Sequence, residues 1–287
     1  MSGADVRRVG VVGLGTMGAG IAQVCVQAGI ETVGREVSEE LCDRARERIG
    51  HYLGRGVEKG RLTAAERDVA LARLTTTTEL ADLAACDVVI EAIVEELEAK
   101  QDLFRALEEV VGDDAVLATN TSALSVARVA GATRHPERVV GMHFFNPAPV
   151  LPLVEVVRTE LASIEAVDTA FELAERLGKE PIRCNDTPGF VVNRILIPLL
   201  NDCVRVLDEA GVSPEDLDKA MTRGVNWPIG PCALIDLIGV DVHVHASEAL
   251  HAALGEARMA PPKRLVLMRN EGKLGRKSGE GFFVYEA

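Results

Sequence analysis

The sequence predicts an α/β fold in which a Rossmann-type doubly wound sheet is followed by a smaller all-α domain. Three observations carry this prediction. Valine-rich apolar runs alternate with helical segments up to about residue 185, a glycine-rich turn joins the first run to the first helix, and the rest of the chain has an almost entirely helical pattern. Alternating strands and helices are typical of a parallel sheet whose strands are joined by crossover helices.

The strands of the predicted sheet are short runs rich in β-branched residues. They occupy residues 7–13, 31–34, 87–93, 115–120, 138–145, 151–158 and 179–184. Helical segments follow the first run, separate the third from the fourth, and cover about 163–178. A charged helical stretch at about 39–73, interrupted by glycines, predicts a helical hairpin that projects from the sheet. Thr63 and Glu66 form the pattern of a capping box at its second helix.

A domain boundary is predicted at the DTPGF segment, residues 186–190, because Pro188 suits the first turn of a new helix. We therefore divide the chain into a dinucleotide-binding domain, residues 1–185, and a helical domain, residues 186–287. In the second part a long helix is predicted after Gly189 and contains Pro198, where a bend is expected. Ser213 ahead of Pro214 predicts the N-cap of the next helix.

Composition excludes several classes of protein. The chain has 287 residues, with 31 Lys and Arg against 44 Asp and Glu, and therefore a net charge of −13. Its hydrophobic fraction of 47% is typical of a globular protein. The acidic excess argues against binding to nucleic acid or to an anionic membrane. The longest apolar stretch, 190–200, is broken by Asn193 and Arg194, and the N-terminus has no leader pattern. Six scattered cysteines suit buried reduced thiols, and we expect a cytoplasmic protein.

The glycine-rich turn GLGTMG at 13–18 follows a predicted strand and opens a helix, as in dinucleotide-binding proteins. Gly13 permits the tight turn, Gly15 lets the backbone approach a pyrophosphate, and Gly18 allows close packing of helix and strand. The motif alone is compatible with NAD, NADP or FAD. Glu36, at the end of the second strand, can accept hydrogen bonds from ribose hydroxyls and repels a 2′-phosphate, which favours NAD. Arg35 beside it leaves NADP open.

Two ionisable residues interrupt apolar strands. His143 lies in GMHFFNPAP and Glu155 in LVEVV. Taken alone, either residue is more often structural than catalytic, but a buried unpaired carboxylate is costly. A proline-rich turn between the two strands can return the second alongside the first, so that the two side chains meet. Glu155 would then hold one ring nitrogen of His143, and the other would exchange a proton with substrate.

Several segments together resemble the L-3-hydroxyacyl-CoA dehydrogenase family over nearly the whole chain. They are GLGTMGAGIAQV (13–24), EAIVEELEAK (91–100), TNTSALSV (119–126), GMHFFNPAPVLPLVEVV (141–157), DTPGFVVNRIL (186–196) and GRKSGEGFFVY (275–285). The fourth and fifth together are highly specific. The resemblance implies a short-chain 3-hydroxyacyl-CoA substrate, the cofactor NAD, and a homodimer formed through the helical domain.

The resemblance also implies roles for individual residues. His143 would be the general acid and base, and Glu155 its orienting partner. Ser122 and Asn193 would hydrogen-bond the reacting oxygen or the substrate carbonyl, and Asn146 would position substrate and cofactor. The remaining cofactor contacts would come from the glycine turn with Thr16 and Met17, from Glu36, and from Glu95, Lys100 and Asn120. The hairpin at 39–73 would lie against the CoA moiety, where Arg55 and Lys59 could hold its phosphate; a solvated charged face explains these side chains nearly as well.

The chain departs from the family at a few points. The family commonly has Asp where this chain has Glu36, which leaves cofactor preference open. Trp227 and Cys232 lie in a segment, 226–241, that we expect to face the substrate or to pack between domains, so acyl preference is open. His243 and His245 would point to different faces of a helix, and we predict no metal site there.

Three other functions are compatible with part of this pattern. A β-hydroxyacid dehydrogenase would share the glycine turn but act on a free carboxylate substrate. A related dehydrogenase would act on an acyl group attached to a carrier protein. A nucleotide-binding structural or regulatory module would bind cofactor without turnover.

Overall fold

The computed structural model describes residues 3–286. The chain forms two compact units, the first ending at Thr187 and the second beginning at Pro188. The first contains an eight-stranded, mostly parallel sheet with helices, and the second is helical. The predicted fold class is therefore confirmed.

The sheet of the first unit has the strand order β3-β2-β1-β4-β5-β6-β7-β8. Neighbouring strands are parallel except β6 and β7, which pair antiparallel. The strands are β1 (Arg8–Val12), β2 (Glu31–Arg35), β3 (Leu74–Thr77), β4 (Val88–Glu91), β5 (Val116–Thr119), β6 (Val139–Phe144), β7 (Leu153–Arg158) and β8 (Glu180–Asn185). The order 3-2-1-4-5-6 is that of dinucleotide-binding sheets, in which ligands bind beyond the carboxyl ends of the strands.

Helices cover both faces of this sheet and complete its two apolar cores. They are α1 (Thr16–Gln27), α2 (Glu39–Glu58), α3 (Ala64–Ala72), α4 (Leu97–Glu108), α5 (Val126–Ala130) and α6 (Ile164–Arg176). The predicted hairpin region holds the consecutive helices α2 and α3, and the capping box of Thr63 and Glu66 is present. Ser38 and Ser163 cap α2 and α6 by accepting backbone N–H bonds. Each of these caps satisfies a donor that the helix itself leaves unpaired.

One strand and one α-helix of the first unit are missing from the sequence-based prediction. The strand β3 has the sequence LTTT, in which one apolar residue and three threonines give no clear alternation. It forms because β2 offers it a parallel edge, with Thr32 to Arg35 opposite Leu74 to Thr77. The helix α5 has only 5 residues, too short to show a helical period, and depends on the cap that Ser125 provides.

In residues 188–286 the second unit has five α-helices: α7 (Val192–Ala210), α8 (Pro214–Gly224), α9 (Pro231–Ile238), α10 (Val240–Leu254) and α11 (Lys263–Asn270). Pro198 lies inside α7, Gly211 ends that helix with a left-handed φ of 65°, and Ser213 caps α8 as predicted. Apolar side chains of α7, α9, α10 and α11 form the core. In the described part of the chain, no helix is long and apolar enough to cross a membrane.

The 226–241 segment contributes to the interior of the second unit. Cys232 is fully buried beside Cys203 and Leu217, and Trp227 packs against the core. The nearby carboxylate of Asp236 is buried and accepts hydrogen bonds from the N–H groups of Phe282 and Phe283 at 2.9 and 3.0 Å. These contacts hold the C-terminal segment against the last turn of α9.

Candidate active site

The glycine turn between β1 and α1 has the geometry of a phosphate-binding loop. Gly13 has φ +84°, a value that L side chains rarely adopt, and its N–H donates to the Arg35 carbonyl oxygen at 2.9 Å. A Cβ on Gly18 would stand 1.7 Å from the Gly13 carbonyl oxygen. On Gly15, by contrast, a Cβ would meet no heavy atom of residues 3–286 within 4 Å. The turn is therefore closed on its inner side and open at Gly15.

The carboxylate of Glu36 lies beside this turn. One oxygen accepts the Leu14 N–H at 2.7 Å and the other accepts the Val37 N–H at 3.0 Å. Arg35 donates its Nε–H to the Thr78 carbonyl oxygen at 3.2 Å. The negative group at the end of β2 is thus fixed next to the loop, whereas the neighbouring guanidinium is held at the end of β3.

These residues fit a nicotinamide dinucleotide. The open face at Gly15 leaves space for a pyrophosphate, the N-terminus of α1 supplies unpaired amides and a partial positive charge, and Glu36 supplies an acceptor for ribose hydroxyls. Thr16 is exposed and Met17 half-buried in the first turn of α1.

His143 and Glu155 meet, as predicted. They are opposite each other in the antiparallel pairing of β6 and β7, and His143 Nδ1 lies 2.7 Å from Glu155 Oε2. Opposed residues on antiparallel strands project to the same face. Glu155 is fully buried and His143 is 5% exposed. Burial strengthens this contact, because a charge-assisted hydrogen bond gains strength where water is excluded.

Contacts around the end of β6 fix the position of this histidine. Asn120, at the end of β5, accepts the Phe144 N–H on its side-chain oxygen at 2.9 Å. The loop that follows contains Asn146, which is exposed. Lys179 is buried, and its ammonium donates to the Ala148 and Leu151 carbonyl oxygens at 2.5 and 3.0 Å. Desolvation by burial lowers the pKa of Lys179.

A carboxylate holds the loop that carries Ser122. Oε1 of Glu95 accepts the Ser122 N–H at 2.8 Å, the Ala123 N–H at 3.2 Å and the Thr121 hydroxyl at 2.5 Å. Burial raises the pKa of Glu95, but the Lys100 ammonium and these hydrogen bonds outweigh it and leave the pKa below its usual value. Glu95 is therefore an ionised acceptor at neutral pH.

Lys100 is directed into the protein. Its side chain is 1% exposed, and Nζ lies 2.5 Å from Glu91 Oε1 and 3.2 Å from Glu95 Oε2. The structure thus shows an ammonium held by two carboxylates at the end of β4. Contact between Lys100 and a cofactor stays a prediction.

Three other residues were predicted for the site: Arg55, Lys59 and Asn193. Arg55 and Lys59 are exposed at the end of α2. Asn193 is in the first turn of α7, in the second unit. Its proximity to the first-unit residues and the phosphate-binding role of the two cations stay predictions.

Sequence reasoning missed Glu91 and Asp186. Glu91 ends the apolar run DVVIE and is fully buried, which is the same signal, a carboxylate in an apolar strand, that pointed to Glu155. Asp186 accepts the Ser125 hydroxyl at 2.8 Å and the Ala127 N–H at 2.7 Å. It follows β8 in a polar turn and gives no such signal.

His243 has a structural environment within the second unit. It is fully buried, and its Nε2 lies 2.9 Å from the side-chain oxygen of Asn201, whereas His245 is exposed. Desolvation lowers the pKa of His243 to about 4. Among residues 3–286 no three His, Cys, Asp or Glu side chains are grouped to hold a metal ion.

A glycine turn suited to a dinucleotide and a buried histidine–carboxylate pair at the carboxyl end of the same parallel sheet define a Rossmann-type dehydrogenase. Residues 8–187 match the NAD-binding domain of 3-hydroxyacyl-CoA dehydrogenase, and residues 189–285 match the C-terminal domain of that enzyme. The chain belongs to the 3-hydroxyacyl-CoA dehydrogenase family and is an NAD-dependent oxidoreductase acting on 3-hydroxyacyl-CoA.

Relatives resemble the chain along its whole length. A 3-hydroxybutyryl-CoA dehydrogenase of Mycobacterium tuberculosis is 45% identical over 98% of this chain and 99% of the relative. The crystal structure of FadB2 from M. tuberculosis superposes with a TM-score of 0.95 at 45% identity, covering 98% of this chain and 99% of that chain. The (S)-3-hydroxybutyryl-CoA dehydrogenase PaaH1 from Ralstonia eutropha gives 0.95 at 40% identity, covering 99% and 100%.

Proposed function

We propose that this protein interconverts 3-hydroxybutyryl-CoA and acetoacetyl-CoA with NAD(H), and that other short-chain 3-hydroxyacyl-CoA esters are also substrates. The contact between His143 and Glu155 carries the proposal, because oxidation of a carbinol needs a positioned base for the hydroxyl proton. The names of the relatives from M. tuberculosis and R. eutropha support the short acyl chain.

His143 moves the proton. In the oxidative direction Nε2 accepts the proton of the 3-hydroxyl group, and the ring becomes an imidazolium. Glu155, on Nδ1, stabilises that charge and fixes the ring orientation. NAD, when bound, supplies the acceptor for the hydride that leaves C3. In the reductive direction the imidazolium returns its proton to the oxygen.

Neutral donors stabilise the substrate oxygen. We assign this task to the Ser122 hydroxyl and the Asn193 amide, because hydrogen bonds from neutral donors strengthen as negative charge develops on oxygen. Asn146, exposed on the loop after β6, would position substrate and cofactor.

The cofactor would be held at the carboxyl ends of β1, β2, β4 and β5. Gly13, Gly15 and Gly18 would form the pyrophosphate turn, and Glu36 would accept ribose hydroxyl groups. The contacts completing this set would come from Thr16, Met17, Glu95, Lys100, Asn120 and Asn146. The carboxylate of Glu36 supports NAD over NADP, because it would face a 2′-phosphate with like charge.

The CoA phosphates would contact α2. Arg55 and Lys59 are exposed cations near its C-terminal end, at the hairpin where the family resemblance implies CoA binding. Replacing each with glutamine and measuring KM for acetoacetyl-CoA against a truncated pantetheine thioester tests each cation separately.

Two further parts of the proposal concern assembly and location. We propose a homodimer formed through the second unit, supported by exposed apolar side chains on α7, α9, α10 and α11, among them Ile195, Leu237, Val242 and Leu267. Sedimentation at micromolar concentration tests it.

We propose a cytoplasmic location, supported by six free thiols; fractionation of the source cells tests it.

Initial rates of NADH and NADPH oxidation test the function directly. The proposal predicts turnover of acetoacetyl-CoA with NADH as the preferred reductant, and a comparison with longer 3-oxoacyl-CoA esters measures acyl preference. Free acetoacetate and an acetoacetyl carrier protein provide matched comparisons. Turnover confined to either of these, or NADH binding with no turnover of any substrate, would contradict the proposal.

A further inference from the structure

We propose that Glu91 is a positioning residue for the reaction, acting through Lys100 and Glu95 on the loop that carries Ser122. The inference rests on the proposed role of Ser122 as a donor to the substrate oxygen. Glu91 is the last residue of β4 and is fully buried. Its carboxylate contacts Ile93, Lys100 and Thr119, all in the first unit.

The carboxylate of Glu91 is fixed by three donors. Oε1 accepts the Ile93 N–H at 2.7 Å and lies 2.5 Å from Lys100 Nζ, and Oε2 accepts the Thr119 hydroxyl at 2.8 Å. A buried carboxylate is retained at low cost only where such donors are supplied. Glu91 thereby anchors the Lys100 ammonium to the central strands β4 and β5.

Lys100 connects Glu91 to a second carboxylate. Its Nζ is 3.2 Å from Glu95 Oε2, so each oxygen of Glu95 has a separate task. Oε2 faces the ammonium, and Oε1 accepts the N–H groups of Ser122 and Ala123. This arrangement of the two Glu95 oxygens depends on Glu91, because the Lys100 ammonium is attracted to both carboxylates and not to Glu95 alone.

Loss of the charge at Glu91 would redistribute these contacts. With Glu91 neutral, the buried ammonium has Glu95 as its remaining carboxylate partner, and the attraction between them increases. Glu95 would then shift toward Lys100 and weaken its bonds to the backbone of Ser122 and Ala123. The loop would remain folded but would hold the Ser122 hydroxyl less tightly.

The first test measures the loop without using activity. In E91Q, amide hydrogen exchange at Ser122 and Ala123 should become about tenfold faster, because their acceptor is displaced. Glu108 provides a matched control, since it is also buried and accepts two backbone N–H groups, those of Arg134 and His135. E108Q should accelerate exchange at 134–135 and leave 122–123 unchanged. Unchanged exchange at 122–123 in E91Q would overturn the proposal.

The second test is a double-mutant cycle in kcat with acetoacetyl-CoA and NADH. E91Q should lower kcat roughly tenfold in the parent enzyme but less than twofold in an S122A background, because residues acting through one another are not additive. E108Q should have the same small effect in both backgrounds. Equal losses from E91Q in both backgrounds would show a merely structural role.

A second variant covers the case in which E91Q does not fold. T119V keeps the side-chain shape and removes the hydroxyl that fixes Glu91 Oε2; the same hydroxyl accepts the Thr121 N–H at 3.3 Å, so exchange at Thr121 is followed separately as the direct effect. The same faster exchange at 122–123 and the same non-additivity with S122A are expected, to a smaller extent. Failure of the proposed function would appear differently, as an absence of acetoacetyl-CoA turnover in the parent enzyme, and would leave the exchange result intact.

Discussion

His143 and Glu155 stand opposite each other on antiparallel strands, with Nδ1 of the histidine 2.7 Å from Oε2 of the glutamate. The single antiparallel pairing among the described neighbours of this sheet, β6 with β7, creates this contact. A parallel return of the chain would need a long crossover, whereas the short loop after Phe144 brings Glu155 back directly.

Replacing Glu155 with glutamine tests the contribution of the charge. E155Q keeps the shape of the side chain but removes the negative charge that stabilises an imidazolium. We expect kcat for acetoacetyl-CoA reduction to fall roughly ten- to a thousandfold, with little change in the Kd of NADH measured by fluorescence titration. A kcat within twofold of the parent enzyme would refute the role of the carboxylate.

The glycine turn offers a matched pair of variants. G15A adds a methyl group where the described chain leaves space, so the thermal midpoint should stay close to that of the parent while NADH affinity falls at least about tenfold. G18A adds a methyl group against the Gly13 carbonyl oxygen and should destabilise the protein itself by about 1–3 kcal/mol. Normal NADH binding by a folded G15A would argue against a pyrophosphate at this face.

Cofactor preference should depend on Glu36. E36S removes the carboxylate beside the turn and with it the repulsion of a 2′-phosphate, so the ratio of kcat/KM for NADH to that for NADPH should fall roughly tenfold. The double variant E36S/R35Q is the control: it shows whether part of the change comes from attraction of the 2′-phosphate by Arg35 once the Glu36 carboxylate is gone. An unchanged ratio in E36S would assign the preference to other residues.

His243 makes stability depend on pH. Burial lowers its pKa from 6.5 to about 4 in the folded chain, so the unfolded chain binds a proton first as pH falls. The free energy of unfolding is therefore highest above pH 6.5, where the ring is neutral in both states. It falls by about 3 kcal/mol as the pH decreases toward 4. Chemical denaturation of the parent and H243Q across this range should show a shallower decline in the variant. Parallel curves would contradict the prediction.

Much of the fold was predictable because strong local signals coincide. The glycine turn, the capping box of Thr63 and Glu66, and the Ser213 cap all occur as their patterns predict. The strand β3 was not predictable, because its threonines pair through an edge that another strand provides. Threonine itself favours strands, so the pairing with β2 agrees with the local preference; what the segment lacks is the apolar run that marks the other strands.

The candidate site was likewise predictable only in part. A histidine and a glutamate interrupting apolar strands indicated the pair, since burial of either alone is costly. Glu91 carries the same signal, but its partners Lys100 and Thr119 come from separate elements and are visible only in three dimensions. For Cys232 the sequence left a substrate-facing role open. The structure packs this side chain inside the second unit.

The proton-transfer role of His143 is tested most directly by H143Q, assayed for NADH oxidation with acetoacetyl-CoA alongside a titration of NADH binding. The account predicts a kcat lower by roughly a hundred- to ten-thousandfold and a Kd for NADH within twofold of the parent value. Turnover at the parent rate by a folded H143Q would contradict the assignment of the general acid and base.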